Sequence, residues 1–219
     1  MTDADRIETP EFIARLRARD TRAFDELVRA LQRRVFSLIA RMLPSAAEAE
    51  DVSQEVFVQV FRAIDQFRGD SKLSTWVFRI AVNLTKNRAL YLQRRHAGKG
   101  DDRLDVDEIG ERVPLGQAAR GTSSVVARPD HLVEGMQVER IVQAAIADLE
   151  DTFRECLLLR EVEDMSYEEI ATITSLPVGT VKSRIHRARA AVREFVEKAL
   201  GEGVGGKVAV GAGKRGADK

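Results

Sequence analysis

Residues 166–192 read SYEEIATITSLPVGTVKSRIHRARAAV. Ser166 and Glu169 form the S-x-x-E pattern, in which a hydroxyl and a carboxylate satisfy the free amides at a helix start. The short helix that follows has a small residue, Ala171, near its middle. SLPVG then turns the chain with Leu176 directed inward, and a longer basic helix starts at Val178. At about 100° per residue, Val181, Ile185, Ala188 and Val192 fall on one face of that helix and should pack inward. The layout predicts a helix-turn-helix.

Opposite the apolar face lie Ser183, His186 and, slightly to one side, Arg187, all near the N-terminal part of the helix. That is the part which meets base edges in a major groove, so these are the candidate readers. Lys182 and Arg189 flank one side and Arg184 the other, where phosphates of the two groove walls would lie. Between Val181 and Arg193 the chain has Lys182, Arg184, Arg187, Arg189 and Arg193 and no acid. The competing reading is a surface helix with a solvated basic face. The capped helix at the right distance upstream favours duplex DNA.

Working back toward the N-terminus, helices are predicted over about 151–162 and 130–148, opened by Asp151 and Asp130. Residues 97–129 change character: GKGDD, a run of acids, GQAARGTSS, then Pro129. No period survives there, which predicts a flexible acidic linker. Four helices are predicted upstream of it. Thr9 with Pro10 opens the first, to about residue 19. Asp20 caps the second, whose stripe is Phe24, Leu27, Val28, Leu31, Val35, Leu38 and Met42, and Pro44 ends it. Ser45 and Glu48 repeat the capping pattern before a third, with Ala49, Val52, Val56, Val60 and Ile64 on its stripe. The fourth, over about 73–95, is expected to bury Leu73, Val77, Ile80, Leu84 and Tyr91. The fold class is therefore all-α, with two small helical domains. A four-helix bundle spans 9–96, the linker 97–129 and the helix-turn-helix domain 130–200. The Gly-rich tail 201–219 is expected to have no fold of its own.

Residues 67–83, FRGDSKLSTWVFRIAVN, hold the single Trp of a chain that is 5% aromatic. On the helical wheel Trp76 lies about 60° from the centre of its apolar stripe, on the border, beside Thr75, Arg79, Asn83 and Lys86. Aromatic faces for stacking, polar edges and cations together are what unstacked bases require. Trp76 as core, with Phe67 sealing the bundle, is the competing reading. A second DNA element in the same chain favours a single-strand reader.

Lys plus Arg and Asp plus Glu both number 35, so net charge gives no information about nucleic acid. The distribution does, with basic stretches on either side of an acidic connector. One cysteine, Cys156, in the apolar run CLLL, reads as a buried small hydrophobe and excludes an internal disulfide. Three His and one Cys, far apart, offer no zinc set, so neither metal nor cofactor is expected. No stretch approaches a membrane span and the acidic N-terminus has no signal-peptide core, which predicts a soluble cytoplasmic protein. Two rival functions stand at this point. An autonomous helix-turn-helix regulator would be a dimer on a palindrome. A DNA-processing enzyme would need a nucleophile with supporting Arg groups or a set of metal-binding carboxylates. Asp51 and Glu55 share a helix face but have no third acidic partner that the sequence can place nearby.

The series DVSQEVFVQVFRAIDQFRGDSKLSTWVFRIAVN, a linker, then MSYEEIATITSLPVGTVKSRIHRARAAV closely resembles the extracytoplasmic-function (ECF) group of bacterial sigma factors, two-domain members of the sigma-70 family. The resemblance covers about residues 11–200. It implies a non-enzymatic, monomeric subunit that directs core RNA polymerase to promoters, with 9–96 as region 2 and 130–200 as region 4. Asp51, Gln54, Glu55 and Phe57 match the region that docks on the clamp helices of the β′ subunit, and region 4 would meet the β flap. Phe67, Arg68, Gly69, Asp70 and Ser71 match the loop that captures a flipped base of the minus-10 element. Trp76, Arg79 and Asn83 match positions that contact the opening strand. Lys182, Ser183, Arg184, His186 and Arg187 match the helix that reads the minus-35 element. The linker acids Asp101, Asp102, Asp105, Asp107 and Glu108 resemble a connector threading the polymerase cleft. A cognate anti-sigma factor, often membrane-anchored, is a further implied partner. This chain departs from the pattern at Leu176-Pro177, where many members carry a Ser-like cap, and at His186, often an aromatic or apolar position. Its linker is also longer than is common.

Overall fold

The computed structural model describes residues 6–97 and 129–205, and every long element among them is helical. In the N-terminal unit α1 is Pro10–Arg17, α2 Thr21–Met42, α3 Ala46–Ala63 and α4 Leu73–Ala97, with a 3-10 turn at Ile64–Gln66. In the C-terminal unit α5 is Pro129–Asp148, α6 Asp151–Glu161, α7 Tyr167–Thr174 and α8 Val178–Gly205.

The caps show which local signals survive folding. Thr9 accepts from the Phe12 amide at 3.3 Å, and Asp20 accepts from the Arg22 and Ala23 amides. The α1 helix stops short of residue 19, since Arg19 adopts φ 61°. At α7 both halves of the capping box form: the Glu169 amide donates to Ser166 Oγ at 3.1 Å, and the Ser166 amide donates to Glu169 Oε2 at 2.9 Å. Ser175, left-handed at φ 57°, closes that helix. The matching pattern at Ser45 and Glu48 does not form a cap. Glu48 instead pairs with the guanidinium of Arg88 on α4, and a charge-assisted bond outcompetes an amide donor.

Leu27, Leu31, Val35 and Leu38 of α2 and Ala49, Val52, Val56 and Val60 of α3 are buried, as their spacing predicts. Helix α4 departs from a single stripe. Besides Leu73 and Val77 it buries Thr75, Trp76, Phe78, Ala81 and Val82. It is covered on more than one side, by α2 and α3 within the bundle and by α7 from the C-terminal unit. Tyr91, expected in the core, is 59% exposed. Arg88 already meets the first turn of α3, so the last turns of α4 run past the bundle.

In the C-terminal unit the Arg154 side chain closes the end of α5, donating to the carbonyls of Ile146 at 3.0 Å and of Ala147 and Leu149 at 2.6 Å. Cys156 is fully buried, and burial pushes its thiol up to about 11, which fits an inert packing residue. Helix α8 continues past Leu200 to Gly205, so the tail is helical at its start. The remaining tail and the linker acids lie outside the described residues. The apolar cores of the two units merge into one buried cluster, with α4 packed on α7 and α2 on α6.

Candidate nucleic-acid interface

Val181, Ile185 and Ala188 are almost completely buried, and their burial fixes the roll of α8. Ser183, His186 and Arg187 consequently stand exposed on the opposite edge, together with Lys182 and Arg189. The Ser183 hydroxyl donates to the Thr180 carbonyl at 2.9 Å. Lys182 Nζ lies 5.4 Å from the centre of the Tyr167 ring, and Arg189 clasps Glu161 at 2.6 and 2.9 Å. Arg184 is half-buried and turned toward Glu155 and Cys156, so it is further from a free phosphate-contacting position than its neighbours.

The second site surrounds the turn before α4. Gly69 has φ +82°, a conformation that L side chains rarely adopt. The turn borders a cavity of about 740 Å³ lined by Asp65, Gln66, Phe67, Arg68, Asp70, Ser71, Trp76, Arg79 and, from α7, Thr172. The rings of Phe67 and Trp76 lie 5.5 Å apart at 50°. Trp76 is only 6% exposed and Phe67 3%, so Trp76 belongs to the buried core rather than to its border. The wheel treats α4 as packed on one side only, and α7 covers the other. Arg79 is half-buried at the cavity, whereas Asn83 is exposed and does not line it.

The end of α1 holds the corner leading into this turn, which the sequence did not reveal. Arg17 Nη2 donates to the Phe67 carbonyl at 2.6 Å, and Arg19 pairs with Asp65 at 2.5 Å while its guanidinium lies over the Phe61 ring. These partners are tens of residues apart, beyond any local signal. At the other side of the bundle, Asp51, Gln54 and Glu55 are exposed and Phe57 is half-buried. Gln54 and Phe57 line a groove of about 690 Å³ with Val28, Gln32, Arg33, Phe36, Glu50 and Ser53. Asp51 lies outside that lining, and Glu55 is 3.7 Å from Arg88. Among the described residues no group of His, Cys, Asp and Glu is placed to hold a metal ion, and no helix is long and apolar enough to cross a membrane.

An exposed basic recognition edge on a helix-turn-helix, beside a bundle with an aromatic, cation-rimmed cavity, defines a two-unit DNA-reading protein. The Sigma-70 region 2 family pattern matches residues 27–96, and that of Sigma-70 region 4 matches residues 139–192. The RNA polymerase sigma-H factor of Pseudomonas aeruginosa is 37% identical over 88% of this chain and 95% of its own length. The ECF RNA polymerase sigma-E factor of Escherichia coli K12 is 37% identical over 84% of this chain and 92% of its own. Among solved structures, that of CnrH in complex with the cytosolic domain of CnrY has a TM-score of 0.58 at 25% identity, covering 89% of this chain and 98% of that one. The sigma factor RpoE of Bartonella quintana, in complex with the anti-sigma factor NepR, shares the fold, with a TM-score of 0.59 at 21% identity over 80% of this chain and 96% of that one. The chain belongs to the sigma-70 family, in its ECF group. That membership supports a sigma factor over an autonomous dimeric regulator.

Proposed function

We propose that this chain works as a monomeric, non-enzymatic cytoplasmic specificity subunit that holds core polymerase through α3 and reads a promoter at two places. Asp51, Gln54, Glu55 and Phe57 dock on the β′ clamp helices, with the groove beside Phe57 receiving the apolar part of that contact. Helix α8 enters the major groove of the minus-35 element with Ser183, His186 and Arg187 toward base edges. Lys182 and Arg189 meet phosphates, and region 4 rests on the β flap. The cavity edged by Phe67–Ser71, Trp76 and Arg79 receives a flipped minus-10 base, while Asn83 meets the strand further along α4. Trapping unstacked bases supplies the melting energy, at about 1–3 kcal/mol per stacked base. An anti-sigma factor, membrane-anchored in many systems, restrains the chain.

The observation that carries this reading is the pairing on one chain of an exposed basic edge on a helix-turn-helix with a cation-rimmed aromatic cavity. Run-off transcription with bacterial core polymerase on the chain's own upstream region tests it. Specific transcripts should appear only when the protein is added. Tight binding of a palindrome by a dimer without polymerase would overturn it.

Arg187→Ala is expected to weaken binding at one minus-35 base pair by about 1–3 kcal/mol while other positions keep their ranking. A uniform loss across all sequences in a competition assay would make Arg187 a phosphate contact instead.

A further inference from the structure

The turn that edges the cavity is tied at both ends to one short stretch of the chain. On the way in, Arg17 Nη2 donates to the Phe67 carbonyl at 2.6 Å, and Arg19 pairs at 2.5 Å with Asp65, another residue of the cavity wall. On the way out, the Glu8 carboxylate accepts from the Leu73 amide at 2.5 Å and from the Ser74 amide at 3.1 Å. Those amides belong to the first turn of α4, where a carboxylate also meets the positive end of the helix dipole. Between Glu8 and Arg17 runs α1, about 12 Å of helix at 1.5 Å per residue, which keeps the two ties at a fixed separation. Helix α1 is itself locked in place. Ile7, Phe12 and Leu16 are buried, and Thr9 caps the helix while donating to the Arg6 carbonyl at 3.1 Å. Arg68, Gly69 and Asp70, between the ties, are exposed.

We infer that Glu8 and Arg17 are positioning residues that set base selectivity at the cavity, although neither lines it. This rests on the reading of Phe67–Ser71 as the base-capture turn. Selecting one base over another depends on polar atoms held to within about 0.5 Å, because a wrong base is rejected where it leaves a fixed donor or acceptor unpaired. A free turn would shift to suit any base and would trap unstacked bases without choosing among them. Fixed at Phe67 and at Leu73, the same turn keeps Arg68, Asp70 and Ser71 in one register around the cavity. Stacking and charge do not depend on that register and hold the strand in either case. The ties therefore act on discrimination more than on affinity. The Sigma-70 region 2 match starts at residue 27, so both ties come from outside it.

Holoenzyme assembled from bacterial core polymerase and the full chain tests this on promoters that carry each of the four bases at every minus-10 position in turn. Initial run-off rates give a discrimination ratio for each position. Asp70→Ala and Ser71→Ala, which change the cavity wall directly, identify the captured position as the one whose ratio falls. Glu8→Gln removes the charge and one of the two acceptor oxygens, and Arg17→Met keeps the stem and loses the donors. Each should lower the ratio at the captured position at least fivefold. Rates on the best promoter should stay within threefold of the parent, and ratios at the other minus-10 positions within twofold. Urea melts set a temperature at which each variant is folded, and because the ties are separate, a variant that fails to fold leaves the other to decide. A folded variant of either tie with an unchanged ratio at the captured position, or with ratios lowered equally at every position, reduces the ties to stabilising contacts and overturns the inference. If neither Asp70→Ala nor Ser71→Ala changes the ratio at any position, the capture reading fails, and the positioning role with it.

Discussion

Trp76→Ala is expected to lower the stability of the protein by about 3–5 kcal/mol, read as a drop in the urea midpoint at unchanged slope. The ring is 6% exposed, packs on Phe67 and sits under α7, so its removal leaves a void that neighbouring helices cannot close without moving. A loss below about 1 kcal/mol would show that the site collapses freely and that the ring is not part of the core. Arg79→Ala separates stability from function. Its half-buried side chain lines the cavity, so the variant should fold, open duplex promoter poorly and use a pre-melted template as well as the parent does. Equal loss on both templates would remove Arg79 from the opening step.

Arg34→Ala should destabilise the protein by about 3 kcal/mol near neutral pH, the low end for breaking a buried pair. Two features keep it at the low end: the Arg34 side chain is 39% exposed, and the buried Arg41 still attracts Glu163. The variant also loses the contact of Arg34 with the Phe78 ring, 5.1 Å away. Burial raises the Glu163 carboxyl above the ordinary glutamate range, and Arg34 opposes that shift. A raised folded-state value means stability that is complete below the unfolded value and is lost as pH climbs through the folded one. Without Arg34 the rise is larger. The deficit relative to the parent should therefore be small in acid and reach full size toward neutral pH. Urea melts at pH 5 and pH 8 test the sign, and a deficit that grows on acidification would contradict it.

The helix-turn-helix was legible because its signals are local. Ser166 with Glu169 and the seat of Val181, Ile185 and Ala188 all lie within one stretch, and spacing alone places Ser183, His186 and Arg187 on the free edge. The stripes of α2 and α3 were legible for the same reason. Where the reading failed, a distant partner was responsible. Arg88 took Glu48 from its cap, and α7 turned the border position of Trp76 into an interior one. The corner leading into the cavity turn is held by Arg17 of α1 and by Arg19 just beyond it, and Lys72 and Lys86 pair with carboxylates much further along the chain. Hydrophobic period reports which side of a helix is apolar and says nothing about a second neighbour arriving from another unit.

The start of α4 is tied in the same long-range way. The Glu8 carboxylate accepts from the Leu73 amide at 2.5 Å and the Ser74 amide at 3.1 Å, a cap supplied by a segment ahead of α1. Ile7, Phe12 and Leu16 beside it are buried in the bundle. The family match begins only at residue 27. A fragment cut at that boundary would strip those side chains from the core, leave the first turn of α4 uncapped and release the corner before Gly69. The smallest piece that keeps this cap and this part of the core therefore starts no later than Ile7.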